Sequence, residues 1–122
     1  MDVVISTHSD KPIYAQIVEQ VAAQILKGEL LPGTPLPPIR TAARQLGVSV
    51  ITVQKAWEEL ERAGFIHPMV GRGTVVAPHP PGDLAGKRDD IALARLAKDL
   101  EFYRGLGLDP DEFIALVRRA WA

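Results

Sequence analysis

The sequence contains no cysteine. That excludes disulfides, thiolate zinc sites and cysteine nucleophiles in one step, and it agrees with an intracellular protein. Also missing is any run near the roughly 18 apolar residues that a membrane-spanning helix needs, so no membrane partner is expected. The opening stretch MDVVISTHSDKP has an acid at Asp2 and lacks the basic start and long apolar segment of a secretory leader, so a cytoplasmic location is expected. Net charge is nearly absent: 14 Lys and Arg oppose 15 Asp and Glu, leaving −1. The sum does not announce a nucleic acid, and the distribution of charge decides more. His8, His67 and His79 have no metal-ligand spacing, so no metal and no cofactor are expected. Asp89-Asp90 precedes an apolar helical pattern and reads as its cap. Gly105-Leu106-Gly107 lacks the preceding strand and the further glycine of a phosphate loop. No catalytic constellation is left, and an enzyme is not expected.

What is present suits one compact domain with an appendage: 122 residues, 47% apolar and 24% charged. The segment PHPPGD at 78–83 reads as a linker, because proline lacks an N–H and fixes φ. The chain therefore divides into residues 1–78, a linker over 79–85 and a helical tail over 86–122.

In the first part Ile13, Ile17, Val21 and Ile25 recur every four residues, with Tyr14 and Val18 beside them. This predicts an amphipathic helix from about Lys11 to Lys27, capped near Gly28. Pro32-Gly33 marks a turn. A second helix runs from Pro37 or Pro38 to Gly47, with Ile39, Ala42, Ala43 and Leu46 inward. A third follows from an N-cap at Ser49 to about Ala63, with Val53, Ala56, Trp57 and Leu60 buried. Two helices flanking a tight Gly47-Val48 turn form a helix-turn-helix. Beyond Gly64 the period becomes two: residues 65–70 and 74–77 read as strands, and Gly71-Arg72-Gly73 as the tip of a hairpin wing.

A DNA-reading element must fit the major groove at an angle fixed by a scaffold. The third helix is the candidate, with its N-terminal end outward, where the helix dipole is positive and N–H groups are free. Residues 40–55 carry Arg40, Arg44 and Lys55 and no acid, whereas Glu58, Glu59 and Glu61 would be repelled by phosphates. Ser49, Thr52, Gln54 and Lys55 are the polar candidates, with double-stranded DNA as the expected partner.

The stretch PIYAQIVEQV…GELLPGTPLPPIRTAARQLGVSVITVQKAWEELERAGFIHPMVGRGTVVA resembles the GntR-type winged-helix domain over about 12–77. The opening PIYxQI and the short helical tail resemble its YtrA-like subfamily, whose members lack a large effector domain. The resemblance implies that Arg40 reaches a phosphate or base edge. It implies that Ser49, Val50, Ile51, Thr52 and Gln54 hold recognition positions, and that Gly71 and Arg72, with Gly73 closing the tip, enter the minor groove. The chain departs from the pattern at Pro38, where many relatives have Ser, and at Val50 and Ile51, where they have Arg or Asn. Either apolar side chain could meet a thymine methyl, or both could simply weaken direct readout.

In the tail, Leu93, Leu96, Leu100 and Tyr103 form a seam of the kind two packed helices use, ended by Gly105 and Gly107. Asp109-Pro110-Asp111-Glu112 then opens a last helix through a capping box, with Phe113, Ile114, Val117, Ala120 and Trp121 on its apolar face. A unit of about 40 residues rarely folds alone, so these stripes must pack back on the winged helix or on a second chain; the second chain is expected, because a linker separates the two parts and a dimer reads two half-sites. Leu93, Leu96, Leu100, Tyr103, Phe113, Val117 and Trp121 are the expected homodimer interface. The expected fold is mainly α with a small β-wing: a winged helix-turn-helix followed by a C-terminal two-helix dimerisation unit. The expected function is a sequence-specific repressor binding a palindromic operator as a homodimer; a small-molecule effector is left open. The alternative is a winged-helix protein-interaction module without specific DNA binding.

Overall fold

The computed structural model describes residues 2–78 and 81–122, with backbone alone at 81–85. Among these, the elements run α1 (Ile13–Leu26), α2 (Ile39–Leu46), α3 (Val50–Arg62), β1 (Ile66–Met69), β2 (Gly73–Val76), α4 (Pro81–Gly105) and α5 (Pro110–Ala120). They form two compact units, Met1–Pro80 and Pro81–Ala122. No described helix is long and apolar enough to cross a membrane.

The first unit is built on the apolar face of α1. Ile17, Val21 and Ile25 are buried there together with Val53, Ala56, Trp57 and Leu60 of α3 and Ala42 and Ala43 of α2. Leu30, Leu36, Phe65, Ile66 and Val76 complete the same cluster. Full burial of one such side chain contributes about 1.5–3 kcal/mol, so this cluster holds the three helices and the hairpin together. Gly47 ends α2 in the left-handed region at φ 69°, a conformation open to glycine at little cost. Val48 N–H then bonds back to the Ala43 carbonyl at 3.0 Å, and Val48 itself packs on the core. The turn between α2 and α3 is thereby fixed.

The hairpin pairs antiparallel in the register Ile66 with Val76 through Met69 with Gly73. The 34–36 segment adds a third edge: Leu36 N–H donates to Thr74 O (2.8 Å) and Val76 N–H to Thr34 O (2.9 Å), with Pro35 bridged to Val75. The sequence predicts only a turn here, at Pro32-Gly33. A proline within the segment hides its strand character, although at an edge its missing donor costs nothing.

An N-terminal arm is a second feature that the sequence pattern does not predict. The carboxamides of Gln16, Gln20 and Gln24 hold it along α1. Ser6 N–H donates to Gln16 Oε1 (2.8 Å), and Gln16 Nε2 donates to Ser6 O (2.9 Å) and Lys11 O (3.0 Å). Gln20 exchanges the same pair of bonds with Val4 at 2.9 and 2.7 Å, and Gln24 Nε2 reaches Asp2 O at 2.6 Å. Four helical residues rise about 6.0 Å, and two extended residues advance about 6.6 Å, so the ladder stays nearly in step over three rungs. Val3 and Ile5, between the rungs, pack against the core.

In the second unit α4 begins at Pro81, so the expected linker over 79–85 is helical from 81 onward. A proline opening a helix lacks only an N–H that would have no intrahelical partner, so local composition did not separate a helix start from a linker. Residues 79 and 80, including His79, lie outside the described residues. Asp89 and Asp90 consequently fall inside α4 and cap nothing; Arg88 Nε lies 3.4 Å from Asp89 Oδ1. At Asp109 the capping box is complete: Glu112 N–H donates to Asp109 Oδ1 (2.8 Å) and Asp109 N–H to Glu112 Oε1 (3.2 Å), with Pro110 next to the cap. The Tyr103 and Phe113 rings meet at 4.8 Å between centroids and close the α4–α5 elbow.

Candidate nucleic-acid interface

Ser49 caps α3, its Oγ accepting from Thr52 N–H at 3.1 Å and lying 2.7 Å from Thr52 Oγ1. The two hydroxyls are therefore engaged with each other and with the helix end. Gln54 leans along the helix, its Nε2 lying 3.4 Å from Glu58 Oε1. Lys55 turns toward α1, with Nζ 4.0 Å from the centre of the Tyr14 ring. Such a cation–π contact is worth about 0.5–1 kcal/mol at an exposed site. Tyr14 is thus half-buried with a cation on its face, whereas Trp57 is fully committed to the core.

The remaining side chains of the first turn are apolar and outward. Ile51 is 77% exposed and Val50 37% exposed. Burial of Val53, Ala56, Trp57 and Leu60 fixes the inner face of α3, and Ile51, Lys55, Glu58 and Arg62 fall on the opposite face by the 3.6-residue period. The first turn of α3 holds no acid. Glu59 is paired with Arg62 at 2.7 Å in the last turns.

Arg40 stands exposed at the second residue of α2, behind the N-cap Pro38, which gives no side-chain cap. Arg72 stands exposed at the wing tip between Gly71 and Gly73, whose φ angles are 77° and 71°. The turn is closed by Arg72 N–H donating to Met69 O at 2.9 Å. Chain order separates these two arginines, yet both line one cleft of about 560 Å³ between the Pro35–Pro38 segment and the wing, with Trp57 also on its wall. Neither has an ion-pair partner among the described residues.

The structure thus brings Arg40, Arg72 and Gly73 to a common cleft, presents Val50 and Ile51 outward, and engages Ser49, Thr52, Gln54 and Lys55 in contacts of their own. The expected dimer residues divide. Leu100, Tyr103 and Phe113 line the elbow between α4 and α5 together with Leu96. Leu93, Leu96, Val117 and Trp121 are 63%, 41%, 38% and 83% exposed. Among the described residues no group of three His, Cys, Asp or Glu is placed to hold a metal.

A helix-turn-helix braced by a third helix and followed by a two-stranded wing defines a winged helix-turn-helix protein. The family model described as bacterial regulatory proteins, gntR family, matches residues 13–76. The chain belongs to this family, and within it the chain is YtrA-like; the family is one of regulators, not enzymes. It is 42% identical over 73 residues to the HTH-type transcriptional repressor YtrA of Bacillus subtilis, covering 60% of this chain and 56% of that protein. The structure of YtrA from Sulfolobus acidocaldarius, a GntR-family transcription factor, superposes with TM-score 0.64 at 34% identity, covering 96% of this chain and 94% of that one. AraR(DBD) in complex with operator ORX1 is similar at TM-score 0.54 and 31% identity, over 63% of this chain and 96% of that one. The chain spans 57%, 30% and 56% of the lengths of three curated relatives it matches, YtrA among them.

Proposed function

We propose that this protein is a sequence-specific DNA-binding repressor acting in the cytoplasm, and that it binds a palindromic operator as a homodimer. The observation that carries the reading is the cleft shared by Arg40 and Arg72. Two arginines from separate elements, without carboxylate partners among the described residues, line one cleft beside a helix whose leading turn is free of acids. Arginine suits phosphate through charge and its planar fork of donors, and the narrow minor groove through its negative potential. In this reading the first turn of α3, residues 49–54, lies in the major groove. Arg40 contacts the adjoining backbone, and the tip at Gly71, Arg72 and Gly73 reaches the minor groove. The similarity to an operator-bound AraR domain and to a YtrA repressor supports it. Lys55, seated on Tyr14, acts from the flank.

Residues 1–78 are on this view the reading unit, and α4 and α5 join two copies. Every described side chain of α4 and α5 is exposed or half-buried, so the apolar faces that include Leu93, Leu96, Val117 and Trp121 lack a cover. A second copy related by a two-fold axis supplies one and sets two reading units on two half-sites.

The test is selection of duplexes from a random-sequence pool with the full-length chain, followed by fluorescence anisotropy at about 150 mM salt, where phosphate contacts are partly screened. An enriched, inverted-repeat duplex bound more tightly than the starting pool is the expected result. Arg40→Ala and Arg72→Ala should weaken binding with unchanged circular dichroism; a homodimer loses one cation in each half-site, so each should lower the slope of log K against log salt by about 1.8. Binding to the enriched and random duplexes with equal affinity refutes sequence-specific regulation and favours a protein-interaction role.

A further inference from the structure

We propose that the leading turn of α3 discriminates sequence through the 5-methyl group of thymine, read by the hydrocarbon of Ile51 and Val50. The proposal rests on the DNA-binding reading above and says what that surface reads.

The polar groups that would ordinarily read base edges are occupied within the helix. Ser49 Oγ and Thr52 Oγ1 lie 2.7 Å apart, and Ser49 Oγ also accepts the Thr52 N–H. The Gln54 carboxamide lies 3.4 Å from the Glu58 carboxylate. At the outward tip stand Ile51, 77% exposed, and Val50, 37% exposed. Neither belongs to the core cluster, and β-branched residues are not favoured in a helix for its own sake. The fold therefore supplies no reason for apolar side chains at these two positions.

The major-groove edge of a base pair offers a single hydrocarbon feature, the thymine 5-methyl; its other groups are donors and acceptors. A β-branched side chain meets it well, because a strongly preferred χ1 in a helix holds its methyls in place before binding. The surroundings favour a polyanion over an apolar protein surface. Arg40 and Arg44 are exposed on α2, Arg72 is exposed on the wing, and none of the three is ion-paired among the described residues. Exposed cations on α2 and the wing, together with an apolar leading turn on α3, match a groove whose rim is phosphate and whose floor carries methyls.

The experiment takes the duplex enriched by the full-length chain and replaces each thymine in turn by deoxyuridine. This removes the methyl and leaves the Watson–Crick pairing and the O4 acceptor intact. At one or two positions in each half-site the replacement should weaken binding about fourfold, the loss for one buried methyl-sized group. The same replacement should leave Ile51→Ala or Val50→Ala binding unchanged. Both variants should keep the parental thermal midpoint, since neither residue is in the core. Equal binding of thymine and deoxyuridine duplexes at every position overturns the inference and leaves DNA recognition standing. So does a methyl penalty that persists undiminished in both variants. A pool that enriches no duplex overturns the DNA-binding reading itself and sends the apolar tip to a protein partner.

Discussion

Replacing Gln16 with alanine should cost this protein about 2–3 kcal/mol, although the residue lies outside any candidate site. Gln16 is 7% exposed, and its carboxamide makes three bonds, one from Ser6 N–H, one to Ser6 O and one to Lys11 O, at 2.8, 2.9 and 3.0 Å. A protein hydrogen bond contributes about 0.5–1.5 kcal/mol net, so three allow about 1.5–4.5 kcal/mol. The arm is half-exposed, and water can satisfy part of what is lost, which places the estimate below the middle of that span. Gln24→Ala removes one bond, to Asp2 O, and should cost no more than about 0.5–1 kcal/mol. Gln16→Glu should be worse than alanine, because a carboxylate there would face the Ser6 and Lys11 carbonyl oxygens. Its penalty should shrink as pH falls, when protonation restores one donor. Urea titration followed by circular dichroism, with and without residues 2–8, measures the coupling. With the arm gone, Gln16→Ala should lose most of its effect, because its partner at Ser6 is absent. Equal costs in the two backgrounds would refute the ladder as the source of the stability.

Two further outcomes are expected. Tyr14→Leu and Lys55→Gln should each lower stability, and the double variant should fall short of their sum by about 0.5–1 kcal/mol, the worth of an exposed cation–π pair; strict additivity in urea melts would show that the 4.0 Å contact contributes nothing. Leu93→Asp combined with Trp121→Ala should convert the proposed dimer to a monomer in sedimentation equilibrium, since it puts a charge and a void on the uncovered faces of α4 and α5. An unchanged mass would place the dimer contact elsewhere.

Much of the first unit was legible because its signals are local and agree. In α3, a Ser at the cap, four apolar residues on one face and a glycine beyond the end all indicate the same helix. In the wing, glycines at 71 and 73 supply the positive φ that the tip needs. The arm was not legible, since its partners are side chains. Glutamines at 16, 20 and 24 read as the polar face of an amphipathic helix, and nothing in residues 2–6 shows that an extended backbone lies on them. The start of α4 was misread because prolines serve a linker and a first helical turn equally well. That Ser49, Thr52, Gln54 and Lys55 fall at the start of α3 is legible in the sequence, but their engagements are not. Whether Lys55 projects outward or settles on Tyr14 depends on the packing of α3 against α1, and whether Thr52 is available depends on the rotamer of Ser49.

Those engagements bear on how a nearly neutral chain recognises a polyanion. Surface charges are screened over about 8 Å at physiological salt, so distant acids do not cancel a local group of cations. One acid of α3, Glu59, is also offset by Arg62 at 2.7 Å. In the proposed reading Arg40 and Arg44 are left to act on phosphate and Arg72 on the minor groove. Only a few cations are available, so electrostatics supplies attraction and register but little choice among sequences, because phosphates are alike at every base pair. On the proposed reading choice then falls to the leading turn of α3, where Ile51 and Val50 present hydrocarbon outward. On the proposed reading, affinity and discrimination reside in different side chains, the arginines of α2 and the wing on one hand and Val50 and Ile51 on the other. That division is why the loss of polar readers at two recognition positions is compatible with a sequence-specific regulator.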